Sequence, residues 1–499
     1  MASVGLVELP ALKLVDENGL NWTAFRKTEP LASKQILAAL LDAAGFDTAI
    51  VNMKQADDAY EYGQVRWRSR MMSKIAVGAS VKSLDPARFD VWGVTVNYLQ
   101  ERDPALEVVA FLHAGGAKVV VGGSEALGNP RLYLDAGADA VVMDKSGAAN
   151  IDVLRYVLGQ PVERLTGVML PDGTVHKNRR PPMDPHDWPL PKPWMVSQTL
   201  GTSYWEAPIG DELKPVAGVM LDVGCDRHCS FCQTPTYRIG YRASGPERAH
   251  DWLAAQRNAG AKSVIILSDQ FLGRVLWPNG RDDVLAILRD AREQQLPILW
   301  GNGIELGKAT LGRGKRGGDR RPDLEMVEAV WGWDGRVGCA QAYIPAERPL
   351  LGQESYEKLL PWQEHAAMMR AIVRAGVPDI NYGVIVGLPS DSHATMETLL
   401  DSVGRLRDEL RDINPDLRFR ITPYAIRPLP GTPQASELER AGLVRFTDPA
   451  IVGGFWTACA DTLNMSYEEV SDWQIRLVTE LNEPEPDWQG ITGLQAALA

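Results

Sequence analysis

Cys225, Cys229 and Cys232 stand in the run Gly224-Cys-Asp-Arg-His-Cys-Ser-Phe-Cys-Gln233, a C-x3-C-x2-C triplet on one short stretch of chain. Four thiolates close a [4Fe–4S] cluster for electron transfer, whereas three leave one iron open to an exogenous chelating ligand. An open iron is a place for chemistry. The competing readings are a zinc site, with His228 or His250 as the fourth donor, and three thiols buried as small hydrophobes. Structural zinc usually arrives as two separated ligand pairs, and this triplet is a single compact loop. Among other groups able to pass a hydrogen atom or a proton, Tyr237, Tyr241 and Tyr343 are candidates, although most tyrosines anchor packing.

The triplet, with Phe231 just before its third cysteine, resembles the radical S-adenosylmethionine (radical SAM) superfamily. Members of that superfamily chelate the methionine end of the cofactor at the open iron and cleave it reductively to a 5′-deoxyadenosyl radical. Three later segments add to the resemblance: Arg242-Ala-Ser-Gly-Pro-Glu-Arg248, Gly383-Val-Ile-Val-Gly-Leu-Pro389 and Pro428-Leu-Pro-Gly-Thr-Pro433. Read as residues alone, the first is a Ser-led helix start and the second an apolar strand ending in a turn. The resemblance implies SAM contacts for Phe231, Gly383, Gly387 and Leu388. Two segments depart from the family pattern. Leu267-Ser-Asp-Gln-Phe271 stands where relatives carry Gly-Gly-Glu, so Ser268 or Asp269 is expected to take over the cofactor's amino group. Ile344-Pro-Ala-Glu-Arg348 stands where relatives show Gly-x-Glu-Ser, which places Glu347 near the SAM ribose or amino group. Alternatives are Asp269 as a turn cap and Glu347 as an exposed partner of Arg348.

The N-terminal part resembles the cobalamin (B12)-binding domains fused to such barrels. Lys118-Val-Val-Val-Gly-Gly-Ser124 matches the edge where a dimethylbenzimidazole tail packs, which implies contacts for Gly122, Gly123 and Ser124. Pro130 and Ala138-Asp-Ala-Val-Val142 follow at the familiar distance. The Asp-x-His-x-x-Gly ligand motif is absent, Asp144-Lys-Ser-Gly147 replaces the usual Gly-Glu-Gly-Glu, and His113 lies on a helical stretch. A histidine ligand to cobalt is therefore not expected. Cobalamin without a protein histidine and a scaffold that binds no cobalamin both stay open.

These residues need strands to hold them. Up to about residue 160, apolar runs at Thr48–Asn52, Val91–Val96, Lys118–Gly122 and Ala138–Met143 alternate with helical patterns at Ser33–Ala44 and Asp103–Ala114. That alternation predicts a doubly wound, Rossmann-like α/β domain over residues 1–160, with its crevice at the strand C-termini. The Pro- and Trp-rich stretch from 161 to 212 reads as an extended linker. Strands at Val216–Val223, Ser263–Leu267, Pro297–Asn302, Val337–Ile344, Asn381–Val386 and Arg418–Tyr424 predict a partial (β/α)6 barrel over 213–435. A mainly helical C-terminal extension over 436–499 completes the chain.

Five cysteines among 499 residues, three of them in the triplet, exclude a disulfide framework; Cys339 and Cys459 read as ordinary buried thiols. With no N-terminal signal pattern and no long apolar run, the reading is a cytoplasmic enzyme with no membrane partner. The net charge of −12 argues against a nucleic-acid surface and favours a small, cationic substrate. The basic stretch Lys308 to Arg321 reads as a solvated loop or an anion contact. A methylthiotransferase of transfer RNA shares the Arg-Ser-Pro-Glu-Arg region but needs three more cysteines upstream and a basic RNA module, and this sequence has neither. The resemblance thus implies a [4Fe–4S] cluster, SAM, an electron donor such as flavodoxin or ferredoxin, and a small-molecule substrate from natural-product metabolism. With cobalamin the expected reaction is C-methylation; without it, radical dehydration of a vicinal diol, as in aminoglycoside biosynthesis.

Overall fold

The computed structural model describes residues 1–23, 27–204, 209–302, 304–351 and 358–483. Val- and Ala-rich runs with both faces covered make the N-terminal sheet, as parallel strands under helices require. Its strands β1 (Ser3–Glu8), β3 (Asp47–Asn52), β6 (Val91–Thr95), β7 (Val119–Gly122) and β8 (Ala140–Val142) run parallel in the order β3-β1-β6-β7-β8. The order reverses between β1 and β6, which opens a crevice beyond the strand C-termini. Helices 32–43, 102–114 and 150–157 cover the faces. Apolar clusters on the two sides of the sheet, one around Trp92 and Val108 and one around Leu41 and Val153, hold them there.

Two features lie outside the sequence reading. The first strand, β1, is an interior strand between β3 and β6 although its apolar run is short. A separate antiparallel sheet is formed by β2 (Ala11–Val15), β4 (Ala59–Trp67) and β5 (Arg70–Val77) in the order β2-β5-β4. The polar alternation of β4, exposed on every other residue, is the signature of a half-buried strand rather than a loop.

The expected linker also contains regular structure. β9 (Val168–Met169) and β10 (Val175–His176) add antiparallel edge strands to the first sheet, and residues 193–199 form a helix with Pro193 in its first turn. Prolines exclude a helix interior but favour its first position, so a Pro-rich stretch can still nucleate a short helix. The last sixteen residues of the expected C-terminal extension, 484–499, lie outside the described residues.

The second sheet is parallel throughout. β11 (Val216–Val219), β14 (Ser263–Ile266), β15 (Ile298–Trp300), β16 (Cys339–Glu347), β17 (Asp379–Val386) and β18 (Arg418–Ala425) follow one another in sequence order as an open partial barrel. Helices 246–258, 280–293, 324–331, 362–374 and 393–413 pack outside it. The helix at 246 opens with Gly245 at the cap and Pro246 in its first turn; the Ser244 hydroxyl donates instead to the Leu221 carbonyl at 3.1 Å. Helix 467–481 closes against β18. The barrel core runs on without a break into Trp22 and Trp67 of the N-terminal half. Trp67 donates its indole N–H to the Ala458 carbonyl, which ties the antiparallel sheet to the C-terminal segment.

Candidate active site

The cysteine loop is held at its base by a short antiparallel ladder, β12 (Asp222–Val223) against β13 (Arg242–Ala243). Gly224 opens it at φ +78°, where a Cβ would lie 1.7 Å from the Gly240 carbonyl oxygen, so only glycine fits. Its N–H donates to the Asp269 carboxylate at 2.7 Å. At the far side the Gln434 N–H donates to the Ser230 carbonyl at 3.0 Å, and the Gln233 amide to the Pro430 carbonyl at 3.1 Å. The Pro428–Pro433 segment is thus a clasp on the cysteine loop.

All three thiols line one cavity of about 290 Å³ with Phe231, Asp269, Asn302, Tyr343, Glu347 and Lys358. Burial pushes the Cys225 thiol up to about 11 and the Cys229 thiol up to about 12. For these two, burial disfavours the thiolate, and a metal's charge would favour it. Among the described residues no three His, Cys, Asp or Glu side chains converge on a single-ion site. The three cysteines share the lining of one cavity, which suits a multi-iron cluster. His250 instead bonds Asp290, and neither it nor His228 lines the cavity, so neither completes a tetrahedral zinc site.

A buried ionic network, invisible in the sequence, fixes the loop. Arg227, between the first two cysteines, donates its N–H to Cys225 Sγ at 3.4 Å and its guanidinium to both oxygens of Glu305 and to the Gly314 carbonyl at 3.1 Å. Lys308 pairs with Asp226 and, at 3.2 Å, with Glu305. Across the cavity Glu347 pairs with Lys358. Glu347 occupies the left-handed region at φ +52°, where the ladder between β16 and β17 skips a residue after Pro345. A bulge of this kind re-aims a side chain. Burial raises the Glu347 carboxyl above its ordinary value, offset in part by Lys358. Glu347 is therefore buried and paired with Lys358, while Arg348 forks onto Asp391 at 2.5 Å. The alternative reading of Glu347 as an exposed partner of Arg348 therefore does not hold.

A second cavity, about 310 Å³, continues into the barrel. Phe231, Asn302, Tyr343 and Glu347 are shared with the first; Trp300, Gln341, Asn381, Gly383, Ile385 and Tyr424 lie deeper. A Cβ at Gly383 would stand 2.3 Å from the Tyr343 hydroxyl, so this glycine lets the phenol lie flat on β17. Gly387, at φ +79°, turns the chain beneath Val470, and Leu388 is buried with Ile385 and Ile426; neither Gly387 nor Leu388 lines either of these two cavities.

The third cavity, about 390 Å³, is the crevice between the N-terminal sheet and the barrel. Gly122, Gly123 and Ser124 form part of its wall, with Glu8, Lys54, Thr95 and Lys145. Asp144 accepts the Ser146 and Ala149 N–H groups at 3.0 and 2.9 Å, which shapes the turn that replaces the family's acidic segment. Lys145 donates to the Ser124 hydroxyl at 2.7 Å, and burial lowers its ammonium below the ordinary lysine value. Among the described residues no histidine lines the crevice; His113 packs against Gly137.

Several candidates fall elsewhere. The Ser268 hydroxyl is buried and accepts the Leu221 N–H at 3.0 Å, so it braces strands and faces none of the three cavities. Tyr241 packs on Gly273 and Trp277 and donates to the Phe271 carbonyl, away from the cavities. Tyr237 sits beneath Lys145 at 5.5 Å, outside the lining. Of the three tyrosines only Tyr343 faces the cysteine cavity. Asn302, which the sequence marks only as a strand end, lines all three cavities.

The chain has the fold of radical SAM enzymes that carry an N-terminal cobalamin-binding domain. Superposition on the cobalamin-dependent S-adenosylmethionine radical enzyme OxsB, with aqua-cobalamin and S-adenosylmethionine bound, gives a TM-score of 0.68 at 12% identity, covering 100% of this chain and 71% of that one. The radical S-adenosylmethionine methyltransferase TsrM from Kitasatospora setae, with cobalamin and a [4Fe–4S] cluster bound, gives 0.61 at 14% identity, covering 100% and 89%. No family model matches the sequence. Curated relatives include the ribosomal protein uS12 methylthiotransferase RimO of Saccharopolyspora erythraea, 29% identical over 210 residues, and that of Streptomyces griseus, 37% identical over 115. Those matches cover 39% and 22% of this chain and span 37% and 21% of the relatives.

Proposed function

We propose that this protein is a cobalamin-dependent radical SAM enzyme that methylates an unactivated carbon of a small molecule. The observation that carries this reading is the meeting of three cavities at Asn302: one lined by three thiols, one inside the barrel and one in a glycine-edged crevice. Cys225, Cys229 and Cys232 would hold a [4Fe–4S] cluster that supplies reductive cleavage of SAM, and the crevice would hold cobalamin as a methyl carrier. At the thiol cavity Phe231 offers an aromatic face and the Glu347 carboxylate an acceptor, both next to Lys358. Asp269 is already engaged by Gly224 and faces both the thiol cavity and the crevice. Tyr343, set edge-on to Tyr424 at 6.4 Å, is positioned to exchange a proton or hydrogen atom with a barrel-bound molecule.

The barrel lining is aromatic and amide-rich, from Tyr204, Trp300, Gln341, Asn381 and Tyr424; among the described residues its charged members are Glu347, paired with Lys358, and Arg427, whose guanidinium donates to the Gly453 and Gly454 carbonyls. Such a lining favours an uncharged, planar substrate over the cationic one that net charge suggests. A second thiolate trio, as a methylthiotransferase needs, has no source in the 224 residues before Cys225, which contain no cysteine.

Anaerobic reconstitution with iron, sulfide, SAM, a reductant and hydroxocobalamin tests the reading. The expected outcome is corrinoid absorption that co-purifies with the protein, and both S-adenosylhomocysteine and 5′-deoxyadenosine as products. Formation of 5′-deoxyadenosine alone, with no corrinoid bands, overturns it in favour of a cobalamin-independent reaction such as dehydration.

A further inference from the structure

The chain carries 64 acidic residues against 52 lysines and arginines, so positive surface is the exception. One segment reverses the sign. Between Lys308 and Arg321 stand six basic residues and one acid, Asp319. Lys308 is buried and serves as the anchor on Asp226. Arg321 is paired with Asp319, and Arg313 lies 3.5 Å from Asp323. Lys315 and Arg316 are exposed, and neither side chain has an ion pair among the described residues.

The position of this segment gives its charge a use. Gly314 is at φ +72° with a Cβ position 3.1 Å from the Arg227 guanidinium, so the loop is seated on that arginine. From Cys225 Sγ the contacts run to the Arg227 N–H, through its side chain to the Gly314 carbonyl, and Lys315 is the next residue. The exposed positive tip is one arginine side chain from a cysteine of the triplet. On the function proposed above, each cleavage of SAM takes one electron from outside: the donor is oxidised, and the electron ends in the carbon–sulfur bond that breaks. The donor must come close to the cysteine loop, and this is surface bonded to that loop.

We infer that the loop from Leu311 to Arg321 is the docking surface for the electron donor, an acidic one-electron carrier protein of the flavodoxin or ferredoxin kind. This rests on the proposed function for its purpose, but not for its test. A positive patch on an acidic protein steers an acidic partner to one place and repels it elsewhere. Its action fades with salt because Lys315 and Arg316 are in water.

The test is interferometry of flavodoxin binding to the full chain, wild type against Lys315→Glu/Arg316→Glu, with Lys177→Glu/Arg179→Glu, exposed at the far edge of the first sheet, as a control of equal net charge. At low salt the double variant is expected to bind about tenfold more weakly. The gap should close in high salt, and Lys177→Glu/Arg179→Glu should bind as wild type does. Flavodoxin-driven SAM cleavage should fall in parallel while dithionite-driven cleavage stays the same. Equal flavodoxin affinity for the double variant and the wild type overturns the inference. Absence of dithionite-driven cleavage in the wild type counts against the proposed function alone, since the binding comparison still decides the surface.

Discussion

At Gly123 the backbone takes φ +105°, and a methyl group would lie 2.2 Å from the Val96 carbonyl oxygen; at the adjacent Gly122 the nearest atom would be Val142 Cβ at 3.8 Å. The first glycine is demanded by the chain itself and the second is not. Gly123→Ala should therefore cost about 3 kcal/mol of stability through backbone strain and collision. Gly122→Ala should leave the melting temperature within a degree or two, yet weaken hydroxocobalamin binding about tenfold if this edge receives the cofactor. Spectroscopic titration of both variants checks this, and undiminished corrinoid affinity in Gly122→Ala removes that edge from the site. Glu347 shows a related economy: a left-handed backbone angle and a skipped ladder residue aim its carboxylate at Lys358. Neither feature is visible in Ile344-Pro-Ala-Glu-Arg348.

Among elements, the cysteine loop is the one that least resembles a free loop. Its base is a two-residue ladder, its far side is clasped by the Pro430 segment, and its middle is pinned through Arg227 to Glu305. A loop so braced arrives with its thiols already placed, which lowers the ordering cost of binding a cluster. Arg227→Met removes two charge-assisted hydrogen bonds to a buried carboxylate but leaves Lys308 beside it. The loss should be about 2 kcal/mol. Chemical denaturation measures that loss. A lower iron content after reconstitution is expected alongside it; full iron retention would show that the brace serves stability only.

Across the whole molecule, the barrel core takes in the antiparallel sheet and helix 32–43, and the crevice between the parallel sheet and the barrel has an ionic floor. Burial alone would raise the Glu8 carboxyl, but the ammonium groups of Lys54, at 2.6 Å, and Lys34, at 3.1 Å, outweigh it and hold the carboxyl at about 2. An unfolded chain returns Glu8 to about 4.5. Its folded value lies below its unfolded one, so its contribution is complete above pH 4.5 and disappears as pH falls towards 2. The shift corresponds to about 3 kcal/mol. Urea midpoints of wild type and Glu8→Gln should accordingly differ most near neutrality and converge only as pH falls to about 2. A gap that stays constant with pH would mean that Glu8 is not held at low pKa by the two lysines.

Local chemistry was legible in the chain alone. The triplet spacing, the Gly122-Gly123 edge and the six apolar barrel runs are fixed by bond lengths and by the period of a strand, which neighbouring residues report directly. The short run of β1, the half-exposed β4 and the strands inside the Pro-rich stretch were not legible, because their partners are distant in sequence. The same holds at the site. Ser268 and Tyr241 have suitable chemistry but point into packing, whereas Asn302, Lys358, Arg227 and Lys145 earn their places only through distance and burial. Which carboxylate is paired, which amine is desolvated and where three cavities meet depend on through-space contacts between residues up to hundreds of positions apart. A linear sequence does not carry those distances; only the folded chain sets them.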